Sequence, residues 1–342
     1  MRRYFVALVA LLIAVNARAA EGVSLTSQSA HPGGTNGAAG TNGVADDPDR
    51  VEYETLMQHD QDALDEVDGW IRENNEAQSK GGGLTRGEMN QKIMKRFGLL
   101  RAEYEDFIKR HPNHADVRIA FASFLEEIGD DDAQIEQLEK ARELNPKNPA
   151  VWNQLANFYG HNSPVTNAFA DYTKAIELNS NEPVYYQNLA TTVFLYRTDA
   201  REFYHINEQQ VFDKAMGLYE QAMKLDPTNF VLACDVATSY YGIRPWRMDA
   251  ALRAWTNALS AATDEIEREG VYIHLARLKI IAGNYHQAHA HLDAVTNETY
   301  ANIKRIVSRN LDEKEHPSNT NAAPAKTTGP NASAGTNRID AQ

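Results

Sequence analysis

The sequence has little cysteine, no excess of basic residues and no apolar run long enough to cross a membrane. Its 342 residues include a single cysteine, Cys234, so neither an internal disulfide nor a cysteine-based zinc site can form within the chain. There are 47 acidic and 34 basic residues, which gives a formal net charge of -13. Nucleic acids and anionic membrane surfaces are bound through basic stripes. The charge balance therefore argues against both as partners.

Motifs that mark common active sites are also missing. The sequence contains no nucleophile elbow, phosphate-binding loop, zinc-protease signature or dinucleotide fingerprint. His286, His289 and His291 with Asp293 are compatible with a metal site, but only the first two share a helical face and no carboxylate completes a set of ligands. Solvated histidines are the simpler interpretation. We predict no catalytic residue, no metal ion and no cofactor.

The N-terminus has the form of an export signal. Two arginines precede an apolar run at residues 4–15, and a small-x-small site follows. A run of about 12 residues is too short to span a bilayer. We predict a secretory signal peptide at 1–19, cleaved before Ala20, and a periplasmic or extracellular protein. An uncleaved anchor is the alternative, and the arginine pair leaves both Sec and twin-arginine export open, with Sec favoured.

Two segments have the composition of disordered chain. Residues 20–46 and 312–342 are rich in Gly, Ala, Ser, Thr, Asn and Pro. Such segments cannot bury enough apolar surface to order themselves. We predict a flexible linker before the folded part and a disordered tail after it.

Between these segments the apolar residues follow a helical period. Within residues 149–182, large apolar side chains fall three and four positions apart along two stretches, which are separated by a polar break at 160–164. Small residues, Ala156, Ala168 and Ala175, stand where two packed helices would otherwise collide. The unit resembles the tetratricopeptide repeat, a helix–turn–helix of about 34 residues.

Five copies of this pattern follow one another in register, and each has several constrained positions. They cover residues 115–148, 149–182, 183–229, 230–268 and 269–296, and the third contains an insertion at 196–210. Residues 47–114 resemble a divergent capping repeat, and 297–311 resemble a terminal capping helix. The resemblance implies an all-α fold, a right-handed α-solenoid of stacked helix–turn–helix repeats.

In the tetratricopeptide family the first helix of each repeat lines a concave face that holds extended peptides or partner helices. Laid onto this register, the polar positions of that face are Asn153, Asn157, Gln187, Asn188, Thr191, Thr238 and Tyr241. Amides donate and accept hydrogen bonds and therefore suit a peptide backbone. An alternative is that Asn157 and Asn188 tie neighbouring helices together, and the sequence leaves both interpretations open.

Some members of the family grip a C-terminal carboxylate with lysine, arginine and asparagine. Here the cationic places of that clamp are occupied by Asn153, Val231 and Asp235. Without those positive charges the groove has no reason to prefer a carboxylate, so the resemblance does not extend to this specificity.

A possible second contact surface consists of Arg201, Tyr204 and His205 in the insertion and Trp246 in a lengthened turn. The alternatives are that the insertion packs on its own repeat and that Trp246 packs under the next helix. We predict a non-enzymatic adaptor that binds a protein or peptide. A self-associating architectural protein, acting through residues 196–210, and a hydrolase or metal-binding protein of the cell envelope are the competing interpretations.

Overall fold

The computed structural model describes residues 48–317, and within this range every regular element is a helix. The helices are α1 (Pro48–Ser79), α2 (Arg86–Arg110), α3 (Ala115–Ile128), α4 (Asp131–Leu144), α5 (Pro149–Asn162), α6 (Val165–Leu178), α7 (Pro183–Leu195), α8 (Arg197–Tyr204), α9 (Glu208–Leu225), α10 (Phe230–Ser239), α11 (Met248–Ala261), α12 (Glu265–Ile281), α13 (Tyr285–Asp293) and α14 (Ala301–Glu315). The predicted all-α fold of helix–turn–helix repeats is confirmed. The predicted signal peptide, the linker and nearly all of the tail lie outside the described residues.

The helices begin and end at residues that favour helix termini. Gly129 ends α3 in the left-handed conformation, with φ at 75°, and Asp130 then caps α4 by accepting a hydrogen bond from the backbone N–H of Ala133 at 3.2 Å. Asn148 caps α5, whose first residue is Pro149. These local signals set the short turns that let neighbouring helices pack as hairpins. None of the helices in residues 48–317 combines the length and apolarity that a bilayer crossing needs.

The chain divides into two compact units at Arg268, and each is described by itself. In unit 1, which ends at Arg268, four hairpins pack in sequence: α3 with α4, α5 with α6, α7 with α9, and α10 with α11. Each hairpin also contacts the next one. The first helices approach one another directly, α3 with α5 and α5 with α7.

The core of unit 1 lies between the two helices of each hairpin and between successive hairpins. Ala156, Ala168 and Ala175 are fully buried, as expected for small residues where helices approach closely. Tyr172 and Tyr219 are 4% and 2% exposed. Burying such large apolar surfaces is the main favourable term in stacking.

The two long helices α1 and α2 close the N-terminal end of unit 1. Their shared core contains a buried hydrogen bond in which the Tyr104 hydroxyl donates to Asp60 Oδ2 at 2.6 Å. The ring of Tyr104 stacks on Phe121 of α3 at 4.9 Å between centroids. This contact joins the helical pair to the first repeat.

The insertion in the third repeat is mostly helical. Helix α8 lies against α6, α7 and α9. The ring of Phe169 on α6 receives Phe203 at 5.4 Å and Tyr204 at 5.5 Å. The added residues therefore extend the repeat's own core.

Unit 2 consists of most of α12, together with α13 and α14. Its core joins these three helices through Ile273, Ala276, Leu292, Val307 and Leu311.

The terminal helix of unit 2 corrects the predicted start of the tail. It continues to Glu315, so residues 312–315, which were assigned to the disordered tail, are helical. Leu311 is fully buried and holds the last turns in place, and His289 Nε2 lies 2.8 Å from Glu315 Oε2.

Candidate peptide-binding face

The first helices of unit 1 share a set of polar side chains that we call the inner face. It consists of Ser123, Glu126, Asn153, Gln154, Asn157, Gln187, Asn188, Thr191 and Asp235, from helices α3, α5, α7 and α10. Hydrogen bonds connect most of these side chains from one helix to the next.

Asparagines link α5 to α7 at the centre of the inner face. Asn188 Nδ2 donates to Asn153 Oδ1 at 3.1 Å and lies 3.5 Å from Asn157 Oδ1. The hydroxyl of Tyr172, on α6, donates to the same Asn157 oxygen at 2.7 Å. Asn157 and Asn188 therefore tie neighbouring helices together, which is one of the two interpretations that the sequence left open.

Asn153 does not present its amide to a ligand. Only 5% of it is exposed, because it lies beneath Asn188. Its predicted role as a contact residue is replaced by that of a support for Asn188. The helical period placed Asn153 on the correct side of α5, but it contained no information on how closely α7 covers that position.

The links continue on both sides of the central pair. Asn157 Nδ2 donates to Gln154 Oε1 at 3.1 Å, and Gln154 Nε2 donates to Ser123 Oγ of α3 at 3.0 Å. On the other side, Gln187 Nε2 donates to Asp235 Oδ2 of α10 at 2.9 Å. The inner face is thus connected from the first repeat to the fourth.

The remaining predicted groove residues are half-buried. Thr191 Oγ1 lies 2.8 Å from the hydroxyl of Tyr219, and burial raises the pKa of that hydroxyl to about 12. The ring of Tyr241 packs against Trp246 and Trp255, each with 6.3 Å between ring centroids. Thr238 is half-buried on α10 without a side-chain hydrogen bond in the described part of the chain.

Two carboxylates of the inner face have raised pKa values. Desolvation raises the pKa of Asp235 to about 6, against the opposing effect of its hydrogen bond from Gln187. The Asp235 side chain is nevertheless exposed. Desolvation also raises the pKa of Glu126, and the neighbouring carboxylates Glu127 and Asp131 add to the effect.

Only part of the predicted second contact surface is exposed to solvent. Tyr204 packs on Phe169, and Lys214 Nζ lies 4.1 Å above its ring. Trp246 is half-buried, with the Arg244 guanidinium 4.2 Å above its ring. Arg201 and His205 remain exposed. The aromatic residues therefore pack within unit 1.

Sequence analysis missed a groove in unit 1 between α9 and α11. Its volume is about 620 Å³, and Met216, Met223, Val236 and Leu252 are among the residues that line it. Predicting the groove required knowing how far apart the two helices lie, which no local pattern specifies.

The residues considered for metal and thiol chemistry have other surroundings. No group of three potential metal ligands occurs among residues 48–317. His289 contacts Glu315, and the ring of His291 stacks on Tyr272 at 5.8 Å. Burial, with nearby Asp235 and Glu267, raises the pKa of the Cys234 thiol to about 12. A thiol with so high a pKa is a poor nucleophile.

Comparison with known protein families identifies the repeat. The family model of the tetratricopeptide repeat matches residues 115–158, which form the hairpin of α3 and α4 and most of α5. The chain carries tetratricopeptide repeats. In this tetratricopeptide array, α3, α5, α7 and α10 are the first helices of successive repeats. No curated protein matches the chain in sequence.

Three solved structures illustrate the similarity to other tetratricopeptide proteins. PilF of Pseudomonas aeruginosa is 13% identical with a TM-score of 0.46, and the alignment covers 71% of this chain and 99% of PilF. PilW, described as a type IV pilus biogenesis factor, is 12% identical with a TM-score of 0.47, covering 63% and 94%. YrrB, described as having an unusual peptide-binding site, is 14% identical with a TM-score of 0.44, covering 60% and 97%. At these values none of them indicates what this chain binds.

Proposed function

We propose that unit 1 is a non-enzymatic scaffold that binds an extended polypeptide along its inner face. The observation that carries this proposal is a pair of side-chain carbonyl oxygens on α7 that accept no hydrogen bond from the described residues. Gln187 and Asn188 use their N–H groups in bonds to neighbouring helices, and their carbonyl oxygens accept no hydrogen bond from residues 48–317. Both residues are half-buried, so their side chains are held in place and still reach solvent.

Two fixed acceptors of this kind match the backbone N–H groups of an extended chain. A primary amide offers two donors and an oxygen with two lone pairs. Bonds to the neighbouring helices already restrain both side chains. Binding of a ligand would therefore cost little additional side-chain entropy of Gln187 and Asn188. The links between repeats and the binding surface are in this proposal the same residues acting through different atoms.

We further propose that the protein is exported and acts in the periplasm or outside the cell. The support is the sequence of residues 1–19, which lie outside the described part. Such a scaffold would recruit its partner without chemical change to it.

The binding proposal is tested by selecting peptides from a random library on the full-length protein and measuring their affinities by isothermal titration calorimetry. Gln187→Ala should weaken a selected peptide about three- to ten-fold, the range expected for the loss of one hydrogen bond. Gln221→Ala, at an exposed position of α9, is the matched control and should leave the affinity unchanged. Equal affinities for all three proteins would rule out the inner face as the binding surface.

A further inference from the structure

Charge is distributed unevenly between the two helices of each repeat in unit 1. The first helices α3, α5, α7 and α10 contain no lysine, and their only arginine is Arg118. Arg118 is buried, and its guanidinium donates to Gln137 Oε1 and to the carbonyl oxygen of Pro112. The second helices α4, α6, α9 and α11 hold the basic residues Lys140, Arg142, Lys174, Lys214, Lys224 and Arg253.

Several carboxylates on the second helices form local ion pairs, whereas Asp171 of α6, whose pKa desolvation raises to about 6, forms none with a lysine or arginine in residues 48–317. Lys140 pairs with Glu143 at 2.7 Å, Lys174 with Glu177 at 3.0 Å, and Lys224 with Glu220 at 3.0 Å. Each pair joins residues three or four positions apart on an exposed helical surface.

On the inner face, two carboxylates have no such ion pair. Neither Glu126 nor Asp235 forms an ion pair with any lysine or arginine in residues 48–317, although desolvation disfavours the charged form of both. A carboxylate without a counterion in the protein can gain from a cation that arrives with a ligand.

The surroundings of Asp235 have the arrangement that a cationic side chain requires. Its Oδ2 accepts from Gln187 Nε2, whereas its Oδ1 and Gln187 Oε1 accept no hydrogen bond from the described residues. This bond holds the two side chains together, so each contributes a further acceptor oxygen to the same part of the inner face. Lysine and arginine side chains are multiple donors without acceptors, and a guanidinium presents its donors in a fork that can reach two oxygens.

We propose that the polypeptide bound by the inner face is basic, with a lysine or arginine side chain that donates to Asp235 and Gln187. This inference rests on the proposed function and specifies the chemistry of the partner.

The test compares three pools of ten-residue peptides in which alternate positions are random neutral residues and the others are all Lys/Arg, all Gln or all Glu. Fluorescence anisotropy with the full-length protein at low salt should show the basic pool binding at least ten-fold more tightly than the glutamine pool. The preference should decrease when salt shortens the screening length to about 3 Å at 1 M.

Variants separate a specific site from general attraction to an acidic chain. Asp235→Asn should reduce the preference for the basic pool several-fold. Glu143→Gln, which removes one negative charge from a second helix, should leave the preference unchanged. Circular dichroism of each variant should match the parent protein, because both substitutions keep the shape of the side chain.

Three outcomes would overturn the inference. If the glutamine pool binds as tightly as the basic pool and remains sensitive to Gln187→Ala, the scaffold proposal stands and the basic partner does not. If Glu143→Gln weakens the preference as much as Asp235→Asn does, the preference reflects only the net charge of the protein. If no pool binds at any salt concentration, the peptide-binding function itself fails, and the specificity fails with it.

Discussion

The hydrogen bond between Tyr172 and Asn157 allows a quantitative test of how the inner face contributes to stability. Tyr172 is 4% exposed, and its hydroxyl donates to Asn157 Oδ1 at 2.7 Å. Tyr172→Phe removes that donor, but Asn157 keeps a second one, because Asn188 Nδ2 lies 3.5 Å from the same oxygen. We expect the free energy of unfolding to fall by about 1 kcal/mol.

Substitution of the partner, Asn157, should lower the free energy of unfolding further. Asn157→Ala removes the Oδ1 acceptor of the buried Tyr172 hydroxyl, which keeps only its interaction with the Thr192 side chain, and takes one acceptor from Asn188, so we expect a loss of about 2 kcal/mol. In the double variant, no Tyr172 hydroxyl remains to lose its acceptor. The double-mutant cycle should therefore give a coupling free energy of about 1 kcal/mol.

The measurement is urea unfolding followed by circular dichroism and by tryptophan fluorescence. Repeat arrays depart from two-state unfolding as their neighbouring units uncouple, so the two probes must give the same midpoint before free energies are compared. Tyr186→Phe is the control, because its hydroxyl makes an exposed 3.3 Å contact with the carbonyl oxygen of Ser180, and it should cost less than about 0.5 kcal/mol. A coupling indistinguishable from zero between Tyr172 and Asn157 would refute the view that this bond joins the hairpin's two helices.

Three further predictions follow from other parts of the chain. Glu269 is 1% exposed and accepts from Thr296 Oγ1 at 2.9 Å and from the backbone N–H of Asn297 at 2.8 Å, so Glu269→Ala should destabilise unit 2 by about 2 kcal/mol, seen as faster amide hydrogen exchange in α12 and α13. Desolvation raises the pKa of Asp235 to about 6, so the folded state binds this proton first and the contribution of Asp235 to stability should increase as pH falls from 7 to 4. Asp235→Asn should remove that contribution, so the change in melting temperature from pH 7 to pH 4 should be less favourable than in the parent, and equal pH profiles for variant and parent would contradict the assignment. Mass spectrometry of protein from its native host should find an N-terminus at Ala20, and an intact Met1 would contradict signal-peptide cleavage.

The repeat architecture could be predicted from sequence because several independent constraints coincide in every copy. Ala156, Ala168 and Ala175 are all fully buried, and the spacing alone identified them as positions of close helix approach. Gly129 and Pro149 also lie at helix boundaries, where one takes a left-handed conformation and the other occupies the first turn.

The details of the inner face could not be predicted in the same way. Helical periodicity assigned Asn153, Asn157 and Asn188 to one surface, but their hydrogen bonds depend on side chains from three different helices. The donor to Asn157 comes from Tyr172 on α6, which the pattern had identified only as an apolar core residue. Burial of Asn153 likewise depends on the position of α7. Such relations become visible only when the distances between helices are known.

The polar bonds that connect α3, α5, α7 and α10 also determine how one hairpin is offset along the next. Apolar contacts between helices are non-directional, so one apolar contact can replace another with a similar free energy when the helices slide. A shift of one helical turn, about 5.4 Å, would preserve much of that contact but would break the bonds from Gln154 to Ser123, from Asn188 to Asn153 and from Gln187 to Asp235. The amide hydrogen bonds therefore fix the offset between neighbouring hairpins. They favour one offset among several that apolar packing alone would allow, and a ligand that spans the amides would meet them at a constant spacing.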